Sequence, residues 1–241
     1  MTADELLTDQ QLLDLIKKSL ESMLKHPLLE ERLRLVKQLF YKREFERLFS
    51  DVDLCQAYAC EYMPSRALCY KQVLTGLERI RDAEYVYCLG GGNGAEMMAI
   101  GSTLKKCKVI HVQDMTDYQL LNDLSKNNKG HYMLETSVFD LTSETFRMIG
   151  PVSEAHLITA CFLFNEIINT NKKGFVKIIQ TLIANMKDGS FLLVIDSAGS
   201  FSEASVGGNV HMLFKFLDNL KNFEILEQSD SRWFRFFKGL T

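Results

Sequence analysis

CLGGGNGAE, residues Cys88–Glu96, sets four glycines within positions 90 to 94, directly after the apolar run YVYCL at 85–89. A short apolar run ending in a glycine-rich bend reads as a buried strand turning into a helix. Glycine accepts positive φ and lets the backbone approach another group with no Cβ in the way. The helix is expected to start near Gly94, where free N–H groups and the positive end of the helix dipole favour an anion. About twenty residues on, where a carboxylate can accept both hydroxyls of a ribose, Asp114 ends a second apolar run, KVIHVQ at 108–113. Strand, glycine bend, helix, strand and terminal acid, in that order, point to a nucleoside-containing cofactor.

The bend fits two templates. Gly90, Gly92 and Gly94 make the GxGxG of S-adenosylmethionine enzymes, while Gly90, Gly92 and Ala95 make the GxGxx[GA] of dinucleotide binders. The rest of the chain separates them. Residues 9–25 repeat Leu12, Ile16, Leu20 and Met23 on one helical face, and His26-Pro27 ends that helix. A second helix from Pro27 repeats Leu29, Leu33, Val36 and Phe40; its polar face carries Arg32, Arg34, Lys37, Lys42, Arg43 and Arg47 against Glu44 and Glu46. A third helix, Leu54 to Tyr62, is expected to break near Pro64, and a fourth to run from Ser65 to Ile80. Residues 1–80 thus read as an all-helical extension or lid, and 81–241 as a second domain.

After Asp82, short apolar runs alternate with helical stretches, the pattern of βα units in a mostly parallel sheet. The strand candidates are 85–89, 108–113, a weak HYMLE at 131–135, AHLITA at 155–160 and SFLLVID at 190–196. A helix at 208–220 and then FEILEQ (223–228) and RWFRFF (232–237) follow; the turn between the last two is too short for a crossover helix, so they read as an antiparallel pair. A dinucleotide fold usually opens at its first strand, whereas 80 helical residues precede this one. The antiparallel ending is similar to class I S-adenosylmethionine-dependent methyltransferases. The expected fold is therefore α/β: a Rossmann-like, seven-stranded, mostly parallel sheet with an antiparallel C-terminal pair.

Three stretches narrow the resemblance: DVDLCQAYACEYMPSRALCY (51–70), CLGGGNGAE (88–96) and LITACFLFNEI (157–167). Together they resemble the fungal large-subunit (25S) ribosomal RNA uridine-N3 methyltransferases, with an aromatic-x-Pro-x-Arg-Ala-x-x-Tyr segment, a Cys-Leu-Gly-Gly-Gly turn and a fourth strand leading into Asn-Glu. The resemblance implies S-adenosyl-L-methionine as cofactor and ribosomal RNA as substrate, in the cytoplasm, nucleus or nucleolus. It implies that Gly90, Gly91, Gly92, Asn93 and Gly94 border the methionine and ribose, that Asp114 takes the ribose hydroxyls, and that Met115 lies against the adenine. Asp140, after SVFD, resembles the acid that accepts from the adenine amino group; it equally reads as an N-cap followed by Glu144. Arg66 and Tyr70, with Tyr62, are lid candidates, Arg66 facing the cofactor carboxylate or a carboxylate of the protein. One departure stands out. The acid usual two residues before the first glycine is Cys88 here, so its hydrogen bond to the methionine amino group must come from elsewhere or be absent.

Asn165 and Glu166 are the candidate catalytic residues. A uracil N3 nucleophile must lose a proton before or during attack; Glu166 could accept it, Asn165 could bond a base edge, and Phe162 or Phe164 could stack on an extruded base. Buried-strand packing and a helix start explain the same residues without a substrate. Two other classes stay open: a methyltransferase acting on a small molecule or protein, and a silent binding module that kept the fold.

Composition limits the remainder. The six cysteines (55, 60, 69, 88, 107, 161) include no CxxC pair, which suggests neither a zinc site nor a disulfide framework. His111 lies inside a strand, and His156 and His211 lack metal-type partners, so no metal is expected. The N-terminus MTADELLTDQ lacks a signal peptide's basic start and no apolar run approaches a membrane span, which suggests an intracellular, non-membrane setting. The net charge of −3 argues mildly against a general nucleic-acid binder. The basic helix face, and Arg232, Trp233, Arg235 and Lys238, suit local RNA contact as well as a solvated surface.

Overall fold

The computed structural model describes residues 6–128, 132–197, 203–206, 209–229 and 232–234. The chain before the first strand is helical: α1 Asp9–Ser19, α2 Glu21–Leu24, α3 Leu29–Lys42, α4 Phe45–Phe49 and α5 Val52–Gly76. Thr8 and Gln11 close a capping box on α1, and Asp51 caps α5 by accepting from Asp53 and Leu54 N–H. The expected break at Pro64 does not occur, and the third and fourth helices are one helix, α5. An interior proline costs roughly 3 kcal/mol through its missing donor and ring clash. Here residues on both sides of it, among them Ala57, Ala59, Met63, Ala67, Leu68, Tyr70 and Leu74, are buried. Burial of both halves in one packed layer offsets the local penalty.

Strands β1 Tyr85–Leu89, β2 Val109–Asp114, β3 Met133–Val138, β4 Leu157–Cys161 and β5 Phe191–Ile195 follow, separated by α6 Ala95–Gly101, α7 Gln119–Asn128, α8 Ile149–Glu154, α9 Phe164–Thr170 and α10 Lys172–Asn185. They form one sheet in the order β3-β2-β1-β4-β5, all parallel. Alternate residues of β1, β4 and β5 enter opposite cores, while β2 and β3 give their apolar residues to one of them. Val86, Cys88, Ile110, Val112 and Leu157 pack with α1, α5, α6 and α7, whereas Tyr87, Leu89, Ile158 and Ala160 pack with α8, α9 and α10. A third cluster, with Val36, Leu39, Leu48 and Tyr58, joins α3 and α4 to the first half of α5.

The sheet departs from the seven-stranded expectation. Among the described residues it has five strands, all parallel. Residues 223–229 and 232–234 carry no strand, and 235–237 of the expected final strand lie outside the described residues. The antiparallel pair is instead a separate ribbon, β6 Glu203–Val206 with β7 Asn209–Met212, followed by α11 Leu213–Asp218. A strand is defined by its neighbour's hydrogen bonds, so an apolar run with no partner, such as the one containing exposed Ile225 and Leu226, stays irregular.

The strand order reverses between β1 and β4. In an open parallel sheet, the crevice beyond the carboxyl ends of the strands at such a switch point is where ligands bind.

Candidate functional site

A cavity of ≈ 440 Å³ opens at that edge, within the range of roughly 300–1,000 Å³ typical of small-molecule sites. Its floor is the glycine bend after β1; Asp114 closes β2, Asp140 follows β3, and Phe162 and Glu166 follow β4. Phe49 of α4 and Tyr58, Tyr62, Met63, Arg66 and Tyr70 of α5 make the opposite wall.

The bend answers why glycine is needed there, and in a different way at each position. A Cβ on Gly90 would meet Leu163 Cδ1 at 2.5 Å, on Gly91 Val112 Cγ1 at 2.8 Å, and on Gly94 Leu121 Cδ2 at 2.7 Å. Only Gly92, with φ +53°, faces open space, its nearest neighbours being Gly90 O at 3.9 Å and Asp114 Oδ2 at 4.0 Å. Three of the glycines therefore admit protein, and one admits a ligand.

The donors of the bend are also committed. Gly90 N–H donates to Gln113 Oε1 (3.2 Å), Gly91 N–H to Gln113 O (3.0 Å), Gly92 N–H to Asp114 Oδ2 (3.0 Å) and Gly94 N–H to Gly91 O (3.2 Å). The free N–H groups expected to favour an anion are absent from these four positions. A pyrophosphate needs such donors, so the geometry goes against the dinucleotide template. Gln113, whose amide also donates to Phe139 O at 2.7 Å, pins the bend to β2 and β3; the sequence reading passed over it.

Asp114 accepts from Gly92 N–H through Oδ2 and from Thr116 N–H at 3.1 Å through Oδ1. Burial pushes its carboxyl up to about 6 against the pull of these bonds. Asp114 lines the cavity, and the two oxygens of a carboxylate can accept from both hydroxyls of a ribose diol. Of the other acids that line the cavity, two are raised by burial. Burial raises Glu166 to about 7, opposed by Arg66, and raises Glu96 to about 7. Three desolvated carboxyls facing one space favour a positively charged occupant.

The remaining expected residues divide clearly. Gly91, Asn93, Met115, Asp140, Arg66 and Tyr70 line the cavity with Gly90, Gly92, Asp114 and Glu166. Gly94 is turned into the packing of α6 against α7. Asn93 donates to Cys55 O at 3.2 Å, tying the bend to α5. Asp140 already accepts from Thr142 N–H and Oγ1 and from Ser143 Oγ, at 2.8 to 3.0 Å. Burial raises its pKa, but those bonds outweigh burial and hold it below the ordinary value. This is a local turn rather than a helix cap, since the next helical turn starts at Thr145 with Glu144 in the N-cap position and no side-chain capping bond.

Asn165 stands beside Glu166 but faces away from the cavity. Its amide donates to Asp196 Oδ1 (2.9 Å) and Ser197 O (3.3 Å), and its N–H to Asp196 Oδ2 (3.0 Å). Phe164 is wholly buried against Phe175, so of the two phenylalanines only Phe162 meets the cavity. Phe162 adopts φ +55° just beyond β4, outside the strand, and its ring lies 4.7 Å from the Arg66 guanidinium. Arg66 donates to Tyr58 Oη and lies over the Tyr58 and Tyr62 rings. No carboxylate lies within 4.0 Å of it among the described residues. Tyr58 and Glu96 were not singled out by sequence reading; only their positions on one face with Arg66 and beneath the bend reveal them.

His111 is packed, as expected for a strand histidine: it bonds Tyr85 Oη and Ser137 Oγ at 2.9 Å each, and burial lowers its pKa. Among the described residues no cluster of His, Cys, Asp and Glu could hold a metal, and no helix is long and apolar enough to cross a membrane.

Comparison with known proteins agrees with this arrangement. Residues 16–143 and 122–241 match the family described as "Putative SAM-dependent methyltransferase". The 25S rRNA (uridine(2843)-N(3))-methyltransferase of Saccharomyces cerevisiae is 25% identical over 263 residues, covering 86% of this chain and 72% of that protein. Among solved structures, one described as "PigF with SAH" aligns with a TM-score of 0.52 and 15% identity, over 79% of this chain and 61% of its own. Mitomycin 7-O-methyltransferase MmcR aligns with a TM-score of 0.50 and 14% identity, over 80% and 56%. At that identity the likeness is one of fold, and the chain spans less than two thirds of either structure's length. Because the family match extends from the first helix through the glycine bend to the C-terminus, the chain belongs to this family of SAM-dependent methyltransferases.

Proposed function

We propose that the chain methylates N3 of a uridine in ribosomal RNA. The observation that carries this reading is Glu166: a carboxyl raised to about 7 by burial, in the same cavity as Asp114 and the glycine bend. When bound, S-adenosyl-L-methionine supplies an electrophilic methyl group. The protein's task is then alignment and proton removal. Asp114 receives the ribose hydroxyls, Gly92 leaves room beside them, Met115 covers the purine, and Arg66 donates to the carboxylate. Asp140, whose oxygens are already held by Thr142 and Ser143, shares one of them with the adenine amino group in this reading. Glu166, poised near neutral pH, takes the N3 proton of the uracil, and Phe162 offers an aromatic face to the extruded base. Asn165 acts as a positioning residue, tying α9 to Asp196 so that the adjacent Glu166 is held at the cavity.

The substrate class draws support from the yeast relative's name and from the mouth of the cavity. Half of the cations expected on the second helix are neutralised, since Arg32 and Lys37 of α3 pair with Asp53 and, at 2.9 Å, with Glu61, and Arg47, which lies in α4, pairs with Glu44 at 3.4 Å. Lys42 and Arg43, beside the 91% exposed Tyr41, sit at the end of α3, with Arg43 lining the cavity. Exposed cations flanking an aromatic ring suit single-stranded RNA. The helices of residues 1–80 serve in this reading as the lid, and an RNA substrate places the protein where ribosomes are assembled.

The test is transfer of tritium from labelled S-adenosyl-L-methionine to RNA, protein and small-molecule fractions, followed by nucleoside analysis. Label in 3-methyluridine is expected. Label confined to protein or to a small molecule would end the ribosomal reading and favour a closed-pocket substrate, and the absence of any label would favour a silent binding module.

A further inference from the structure

Glu96 lies in the first turn of α6 and is 4% exposed, yet its Oε1 has no hydrogen-bond partner. Burying a carboxylate without a partner is among the costlier arrangements a protein can hold. The side chain lines the cavity, and Oε2 lies beneath the bend, 3.4 Å from where a Cβ on Gly91 would stand. Its surroundings are largely apolar or neutral: Leu74 and Tyr70 of α5, Ile100 of α6, Cys88 of β1, and Thr159 and Cys161 of β4. Thr159 and the Cys161 thiol pull the Glu96 carboxyl down against burial, yet Glu96 Oε1 and Thr159 Oγ1 are both left without a partner; burial pushes the Cys88 and Cys161 thiols up, so neither is an anion. The charged groups acting on Glu96 are Asp114 and Arg66, and no arginine or lysine nitrogen lies within 4.0 Å of it among the described residues. Across the cavity Arg66 has no carboxylate within 4.0 Å among the described residues, the acid that acts on it from farther off being Glu166. An acid and a guanidinium on facing sides of one cavity, neither with an oppositely charged group within 4.0 Å, are complementary to a zwitterion.

We propose that Glu96 accepts from the α-ammonium of the amino-acid arm, opposite Arg66 on the α-carboxylate, and so fixes that end of the ligand. This rests on the S-adenosyl-L-methionine reading of the cavity. Cys88, neutral and wholly buried, cannot serve there, whereas the helix side chain eight positions later reaches the space under the bend.

Two ligands isolate the arm. S-Adenosylhomocysteine and 5′-methylthioadenosine share the adenosine and an uncharged thioether, and only the first carries an ammonium and a carboxylate. In titration calorimetry Glu96→Gln is expected to weaken S-adenosylhomocysteine by about 10- to 100-fold, the loss of one buried charge-assisted bond, and to leave 5′-methylthioadenosine within about threefold. Equal weakening of both ligands, or no change in either, would overturn the role of Glu96. Failure of the unmutated protein to bind either ligand would instead bring down the cofactor reading. The unmutated protein gives a second measurement, which does not depend on the variant folding. In buffers of differing ionisation heat near pH 7, S-adenosylhomocysteine should release protons as Glu96 becomes fully ionised, and 5′-methylthioadenosine should release fewer; equal release overturns the proposal.

Discussion

Gly92 N–H donates to Asp114 Oδ2 at 3.0 Å, so the acid that ends β2 also holds the bend that ends β1. One carboxylate thus organises the floor of the cavity and faces its occupant. Asp114→Ala should reduce affinity for S-adenosyl-L-methionine by roughly 10- to 100-fold, the loss of bonds to a charged acceptor. Asp114→Asn should retain part of the bend's stability but little of the affinity. Calorimetry and thermal melting, read together, check both.

The glycines should respond differently to alanine. Gly91→Ala drives a Cβ to 2.8 Å from Val112 Cγ1 and 3.1 Å from Cys88 Cβ, both in the core. A loss of about 1–3 kcal/mol is expected from overpacking. Gly92→Ala has room but must hold φ +53°, which costs about 1–2 kcal/mol, and its methyl enters the ligand space. Ligand affinity should therefore fall more for Gly92→Ala than stability does, and the reverse should hold for Gly91→Ala.

Glu166 must be ionised to accept a proton, and burial raises it from 4.5 to about 7. Turnover should therefore climb with pH through about 7 and level off above it. Glu166→Gln should lower kcat by roughly 10²- to 10⁴-fold, the range of general-base catalysis, with cofactor affinity nearly unchanged. A pH profile unaltered in Glu166→Gln would remove it as the base.

Glu96, Asp114 and Glu166 are all raised above their ordinary values in the folded chain. The native state therefore holds more protons than the unfolded one between about pH 4 and 7, and its stability falls as pH rises across that window. For the two glutamates the contribution is complete below 4.5 and lost by about 7. Thermal melts should show a shallower decline over this window in Glu96→Gln than in the unmutated protein. S-Adenosyl-L-methionine, being cationic, should stabilise more at pH 7.5 than at pH 5.5.

Lys42→Ala with Arg43→Ala should weaken RNA binding and lower the salt slope by about 1 to 2, as expected for two lost phosphate contacts. Lys37→Ala should do less, because that ammonium is held by Glu61 at 2.9 Å. Filter binding across a salt series distinguishes them; identical slopes would exclude the cavity mouth as the RNA contact.

The five parallel strands, the glycine bend and the terminal acid were legible in the chain because each is a local pattern: an apolar run of strand length, a residue without Cβ, a polar group where the run stops. The same holds for the helical periodicity before residue 80. What the chain alone could not decide was how distant groups satisfy one another. Pro64 reads as a break until both halves of α5 are seen buried in one layer, and 223–228 reads as a strand until no neighbour is found for it. The bend's donors look free until Gln113 and Asp114 take them, and the basic face of α3 looks unpaired until Asp53 and Glu61 of α5 meet it. Glu96 looks like an ordinary first-turn acid until α5, β1 and β4 close around it. Local propensity and polarity are written residue by residue; desolvation and pairing depend on which atoms the fold brings within a few ångströms, and that is where the chemistry of this cavity was decided.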